Sequence, residues 1–373
     1  MTPLRVGFVV HVMQVAGAEM LVRETIRRLG SAIIPTVFCL DRVGTLGEEF
    51  VAEGGDLVCF DRRPGRDYRV SWHMAGEIRH RSLDVLHAHQ YSPFFYAALA
   101  KQLLRRPPKL ILTEHGRHYP DAVSPKRRAF NRLLLDRTAD AVNACCRFSA
   151  DALRDVDGFA GQRIAVIENG IETDHYFPAA VIAAQKRLMG LNPQTRYLIH
   201  VARQHPVKDQ ATLLRGFALA KLADVELLMV GDGPLRNDLE SLAASLGIND
   251  RVTFLGIRRD IPELLRTAEA FALTSVSEAA SLTLLEAMAT GLPAIVSAVG
   301  GNGEIVRHER EGLLFPRGDA PALAAALRRV FGEPDAAHSW GRQARERMLR
   351  HYQLNQTIDA YHRLYRRLAR QPA

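Results

Sequence analysis

Short apolar runs rich in β-branched residues recur along the chain, separated by amphipathic stretches. The first series comprises Leu4–Val10, Ile34–Leu40, Asp56–Phe60, Asp84–His89, Lys109–His115 and Asp140–Cys146. Each run is nearly continuously apolar, which predicts parallel strands covered on both faces. Helical patterns fall between them, over Gly17–Leu29 and Pro93–Leu104, the latter with Ser92 as N-cap and Pro93 in the first turn. The alternation restarts with Tyr197–Arg203, Val225–Asp232, Arg251–Gly256, Ala270–Ser275, Pro293–Ala298 and Glu311–Pro316. Two βαβ series predict an α/β protein of two doubly wound, Rossmann-like domains with right-handed crossovers. The expected boundaries are 1–172 and 190–353, with a linker near 170–190 that opens on the turn signal Asn169-Gly170. In the last stretch, 354–371, Ile358, Tyr361, Leu364, Tyr365 and Leu368 share one helical face under a basic outer face. This helix is expected to pack back onto the first domain, with membrane contact as the alternative.

A length of 373 residues suits two cores better than one, and 47% hydrophobic with 24% charged residues is the balance of a compact globular chain. Cys39, Cys59, Cys145 and Cys146 lie in apolar runs with no metal-site spacing, so buried reduced thiols of a cytoplasmic protein are expected. No run of 18 apolar residues occurs, and Met1–Val10 lacks the pattern of a signal peptide. The net charge of +8 is concentrated: residues 100–137 hold ten Lys and Arg against three acids. Such a patch attracts phosphates of lipid headgroups, nucleic acid or a pyrophosphate-linked molecule, although a plain solvated surface fits the charge equally. No aromatic interleaving or nucleic-acid motif accompanies it, so no nucleic-acid partner is expected. Within it, Lys126–Arg137 places Phe130, Leu133 and Leu134 on one face and Arg127, Arg128 and Arg132 on another. A core-facing helix with a solvated basic side is the favoured reading, and docking against an anionic membrane surface is the other.

Four features of the second domain fall where strands end, the place ligands occupy in doubly wound sheets. Arg203 follows the strand at 197–202, and Lys208 comes five residues later at the mouth of the next helix. Two permanent cations beside a helix N-terminus suit a diphosphate. Gly231 and Gly233 in the turn VGDGP would let backbone approach a ligand. Glu278 lies in the loop after the strand at 270–275, and Glu286 lies within a helix over Thr283–Thr290 that Ser281 or Thr283 can cap. A carboxylate there can accept both hydroxyls of a ribose diol. Gly300 and Gly301 offer bare backbone to phosphate or sugar, ahead of Glu304.

The Arg…Lys pair, the VGDGP turn, two glutamates eight positions apart ahead of EAMATGLP, then VGGNGEIV and EGLLFPRGD together resemble glycosyltransferase family 4. QVAGAEML, DVLHAH, TEHGR and ENGIETDHYFP extend the resemblance over essentially the whole chain, and TEHGR with PVKDQATLL is most similar to sugar transferases of bacterial polysaccharide gene clusters. The resemblance implies the GT-B fold, two domains facing a cleft, and retaining transfer from a nucleotide-diphosphate sugar, with UDP or GDP as carrier. It implies that Arg203 and Lys208 hold the donor diphosphate and that Glu286 binds ribose. Glu278 and the backbone around Ser281 and Leu282 would hold sugar hydroxyls. His115 would contact the donor sugar, and Gly17 would approach the phosphates. The acceptor would be a glycan or lipid-linked hydroxyl, in exopolysaccharide, lipopolysaccharide or other glycan synthesis, with no cofactor and no metal. The expected location is cytoplasmic, with peripheral attachment to the inner membrane face through 100–137. The sequence departs from the family pattern at Ala16-Gly17, where a double glycine is usual, at Ala279 in place of glycine, and at Gly303 in place of proline.

His11 and Glu19 fall at a strand end on the acceptor side, and His87 and His89 alternate on one strand without a third ligand at metal-site spacing, so polar structural roles are expected for that pair. Two further readings share this architecture: a nucleotide-sugar epimerase or hydrolase, and a non-catalytic sugar-nucleotide-binding scaffold protein.

Overall fold

The computed structural model describes residues 2–116 and 124–370, so the middle of the basic segment 100–137 lies outside the described residues. The chain forms two units, Met1–Asn169 with Asn355–Ala373, and Gly170–Leu354.

The first unit is built on seven parallel strands: β1 (Leu4–Val12), β2 (Ile33–Arg42), β3 (Asp56–Cys59), β4 (Val85–His89), β5 (Lys109–Glu114), β6 (Ala141–Ala144) and β7 (Ile164–Val166). Their spatial order is β3-β2-β1-β4-β5-β6-β7, so the winding reverses between β1 and β4. β7 was not expected; it is three residues long and half exposed, which erases the apolar run that marks the others. The second unit holds β8 (Arg196–Val201), β9 (Val225–Val230), β10 (Val252–Gly256), β11 (Ala270–Leu273), β12 (Ala294–Ser297) and β13 (Gly312–Phe315), all parallel, ordered β10-β9-β8-β11-β12-β13 with the reversal between β8 and β11. These are the six strands expected there.

Each sheet is sandwiched by helices. In the second unit one core layer gathers Leu213, Phe217, Leu227 and Leu327, and the other gathers Ile199, Phe271, Leu284 and Met288. The helix Leu354–Ala369 belongs to the first unit, where Tyr361 and Tyr365 are wholly buried and the Tyr365 hydroxyl lies 2.7 Å from His87 Nδ1.

Three local readings need correction. The helix after β4 runs Tyr91–Gln102 and starts from Gln90 at φ 75°, so Ser92 is not its cap. Cys59 is partly exposed, unlike the other cysteines, and all four are free. Phe130, Leu133 and Leu134 are exposed rather than core-facing; from that segment Asn131 and Leu135 are buried instead. The helix there widens to a π-turn over Asn131–Leu135, and Asn131 is tied inward to Tyr91 and to the Asp157 carbonyl. Among the described residues, no helix is long and apolar enough to cross a membrane.

Candidate active site

In the second unit the reversal of strand order brings the loops after β8 and β11 side by side, leaving a crevice at their carboxyl ends. The loop after β8 passes exposed Arg203, then forms a short 3-10 turn, Pro206–Lys208. Asp209 leaves that turn at φ 45°. Thr274, just past β11, clamps the turn by donating to the carbonyls of Lys208 (3.0 Å) and Asp209 (2.9 Å), and the Val276 amide donates to the Val207 carbonyl at 2.9 Å. This clamp fixes where the Lys208 side chain emerges. Its ammonium meets Glu278 Oε1 at 2.5 Å, and the Ser275 hydroxyl donates to the same oxygen at 2.6 Å.

Gly300 and Gly301 act on Glu278 through its backbone. The Gly301 amide donates to the Glu278 carbonyl at 3.0 Å. Gly300 sits at φ +50°, and a Cβ on it would lie 1.8 Å from that same carbonyl oxygen. Gly231, at φ +120°, and Gly233 are likewise explained by chain packing: a Cβ on either would strike the carbonyl of Ala202 (2.2 Å) or Gln204 (2.3 Å). These glycines therefore seat the strand-end loops against one another.

The helix after Lys208 (Gln210–Ala220) starts with its third amide capped and the amides of Gln210 and Ala211 without a partner among the described residues. The Asp209 carboxylate caps it, accepting from the Thr212 amide at 3.3 Å and hydroxyl at 2.7 Å. The helix Leu282–Ala289 starts in the same way. There Ser281 accepts from the Leu284 amide, while the amides of Leu282 and Thr283 have no partner among the described residues.

Glu286 lies on that helix. Burial of its carboxyl pushes its pKa up to about 7, against a partly offsetting hydrogen bond from the Tyr176 hydroxyl. Burial and the neighbouring Glu286 charge raise Tyr176 in turn, so it stays a protonated donor. Tyr176 was not singled out in the sequence, because it lies in the aperiodic stretch read as linker.

In the first unit the residues expected at a site follow β1, β4 and β5. Gly17 opens the helix Gly17–Leu29, which has no side-chain cap, and Glu19 in its first turn is buried and shifted upward in pKa by desolvation. His11 Nδ1 lies 3.0 Å from an Asp41 carboxylate oxygen. His115, just past β5, approaches His89 with Nε2 to Nδ1 at 2.8 Å and the ring planes within 7°. His87 continues the ladder, 4.1 Å from His89 between ring centres, with Nε2 2.6 Å from the Thr113 hydroxyl. Burial lowers all three: His87 to about 3, His115 to about 4, and His89 well below its ordinary value. The ladder is therefore neutral near pH 7, and among the described residues no cluster of three metal-ligating side chains occurs.

Two family models match the chain. "Glycosyltransferase Family 4" covers residues 15–175, and "Glycosyl transferases group 1" covers residues 182–347. The chain belongs to glycosyltransferase family 4. It is 29% identical over 305 residues to N-acetyl-alpha-D-glucosaminyl L-malate synthase of Bacillus anthracis, covering 81% of this chain and 79% of the relative. It is 26% identical over 302 residues to the Escherichia coli UDP-Gal:alpha-D-GlcNAc-diphosphoundecaprenol alpha-1,3-galactosyltransferase, covering 77% and 76% of the two chains. Among solved structures, a glycosyltransferase from Rickettsia africae superposes with TM-score 0.86 at 19% identity over 100% of both chains. Anabaena HepE in complex with UDP and glucose superposes with TM-score 0.85 at 21% identity, over 97% of this chain and 99% of that one. The two Rossmann-like units thus follow the GT-B plan. As a glycosyltransferase, the chain moves a sugar from a nucleotide-sugar donor to an acceptor.

Proposed function

We propose that this glycosyltransferase works with retention at the anomeric carbon and without a metal ion, using a UDP-sugar and a hydroxyl of a glycan or lipid-linked acceptor. The observation that carries this reading is Lys208, clamped by Thr274 beside Glu278 at the reversal of strand order. Lys208 and Arg203 neutralise the donor diphosphate, and the open amides of Leu282 and Thr283 donate to its oxygens. Two fixed cations supply the charge that a divalent ion would otherwise bring. Glu286, held by Tyr176, takes the ribose hydroxyls. Glu278 gives one oxygen to Lys208 and Ser275 and turns the other to the sugar. His115, neutral and braced by His89, contacts the sugar, and Gly17 at its uncapped helix start approaches the phosphates. The acceptor oxygen bonds to the anomeric carbon on the face that the phosphate leaves. The carbon–phosphate-oxygen bond breaks as the acceptor hydroxyl proton passes to the departing phosphate. UDP is favoured over GDP because related proteins are described with UDP and UDP-Gal.

We also propose a cytoplasmic location with peripheral attachment of the basic segment 100–137 to anionic lipid. For the chemistry, the decisive measurement is the anomeric configuration of the product by NMR, run with and without EDTA, after a thermal-shift panel of UDP, GDP and ADP has chosen the carrier. An inverted product, or activity abolished by EDTA and restored by a divalent ion, would overturn the retaining, metal-free reading. Free sugar or an epimer formed without acceptor would favour the hydrolase or epimerase class, and tight UDP binding without turnover would favour a scaffold.

A further inference from the structure

Three exposed apolar residues follow Ser124: Phe130 (39% exposed), Leu133 (65%) and Leu134 (46%). A second exposed pair lies far away in sequence, Tyr68 (56%) and Trp72 (69%), one turn apart at the start of the helix Arg69–Arg81. Phe95 joins the two groups. Its ring lies 6.5 Å from Tyr68 and 6.2 Å from Phe130, so an aromatic chain runs across the surface between the two helices. The flanking charge is one-sided: residues 62–72 and 124–135 together hold eight Lys and Arg and one acid, Asp67. Asp67 is buried and already paired with Arg69, while Arg63, Arg66, Lys126, Arg128 and Arg132 are exposed.

A surface exposing this much apolar area beside one sign of charge is unfavourable in water, unless something apolar with negative headgroups covers it. Trp and Tyr prefer the headgroup level of a bilayer, leucine and phenylalanine dip below it, and Lys and Arg meet anionic lipid phosphates. We infer that Tyr68, Trp72, Phe130, Leu133 and Leu134, with their exposed cations, form one composite face that inserts shallowly into an anionic bilayer. This inference rests on the proposed attachment through 100–137 and extends it, since the face recruits Tyr68 and Trp72 from outside that segment. Basic residues without inserted apolar side chains would be held by charge alone and released by salt. The composite face keeps an apolar component that salt does not screen.

The chain has two tryptophans, Trp72 and Trp340. Trp340 is buried in the second unit's core, so a change in intrinsic fluorescence on lipid binding reports Trp72. The test uses the full chain with vesicles of phosphatidylglycerol and phosphatidylcholine in equal parts, in flotation and in fluorescence with brominated acyl chains. The inference expects co-flotation, a blue shift and bromine quenching; Trp72→Phe removes the two spectral signals without preventing flotation. Lys126→Ala and Arg132→Ala should each weaken partitioning about fivefold. The double variant Leu133→Ser with Leu134→Ser should make the residual binding fully salt-releasable. Flotation with an unshifted, unquenched Trp72 overturns the composite face and leaves the attachment through 100–137 standing. No flotation at low salt overturns both. Far-ultraviolet circular dichroism and melting confirm that each surface variant is folded.

Discussion

The two strand-order reversals of this protein are furnished with opposite chemistry. In the second unit the crevice between β8 and β11 is lined with ions: Lys208 against Glu278, exposed Arg203 close by, and Glu286 under Tyr176. In the first unit the strands around the reversal carry a stack of neutral imidazoles, His87, His89 and His115, anchored on Thr113 and Tyr365. Burial accounts for the contrast. The histidines sit so deep that the charged form is excluded, whereas Lys208 and Glu278 stay partly accessible and pay for each other's desolvation.

The largest effect that can break this contrast is at Lys208. Lys208→Ala removes a permanent cation from the proposed diphosphate and leaves Glu278 with only Ser275, so kcat/KM should fall by about a thousandfold, on the scale of losing a transition-state charge donor. Wild-type turnover in that variant would remove the ionic crevice from the chemistry. Next comes Gly300→Ala, where a Cβ would lie 1.8 Å from the Glu278 carbonyl at a φ of +50°. It should destabilise the fold by about 2–3 kcal/mol, read as a lowered Tm, and should lower donor affinity as well because Glu278 is displaced. An unchanged Tm would mean that the turn is slack and that Glu278 is not held through its backbone.

A pH titration sharpens the contrast further. Glu286 must be ionised to accept a ribose diol, and its pKa is raised to about 7. UDP affinity should therefore be flat above that pH and weaken by up to about tenfold per unit below it. The histidine ladder stays neutral over the same range, so Glu286→Gln should both weaken binding and flatten the profile. A slope that survives Glu286→Gln would assign the titration elsewhere. The smallest expected change is for Tyr176→Phe, which removes the hydroxyl that lowers the Glu286 pKa. The break in the profile should move to higher pH while affinity well above it changes by only a few-fold, about 1 kcal/mol or less. A uniform loss at every pH would instead mean that Tyr176 only packs.

The two halves also differ in how far the sequence reveals them. In the second unit five of the six strands, all but the edge strand β10, are almost wholly buried and read as apolar runs, and charged residues at the run ends stand out at Arg203, Lys208 and Glu278. In the first unit β7 is short and half exposed, and periodicity does not mark it. Tyr176 escapes for a related reason: nothing local distinguishes a tyrosine in an aperiodic stretch from any other linker residue, and its partner Glu286 is remote in sequence. The glycines were legible as positions of special backbone, but a sequence cannot say whether bare backbone faces a ligand or another loop. At Gly231, Gly233 and Gly300 it faces another loop.

Local patterning determined the α/β class, the two parallel sheets and the family, because hydrophobic periodicity and strand-end motifs are encoded within a few neighbouring residues. Tertiary structure alone decided which charges meet and which apolar side chains remain outside. Thr274 clamps the turn at Lys208, and Asn131 turns inward at the π-turn while Leu133 and Leu134 face out. Tyr68 and Trp72 are joined to Phe130 only because Phe95 lies between them. Each of these outcomes depends on contacts between residues distant in the chain, and no window of sequence contains both partners.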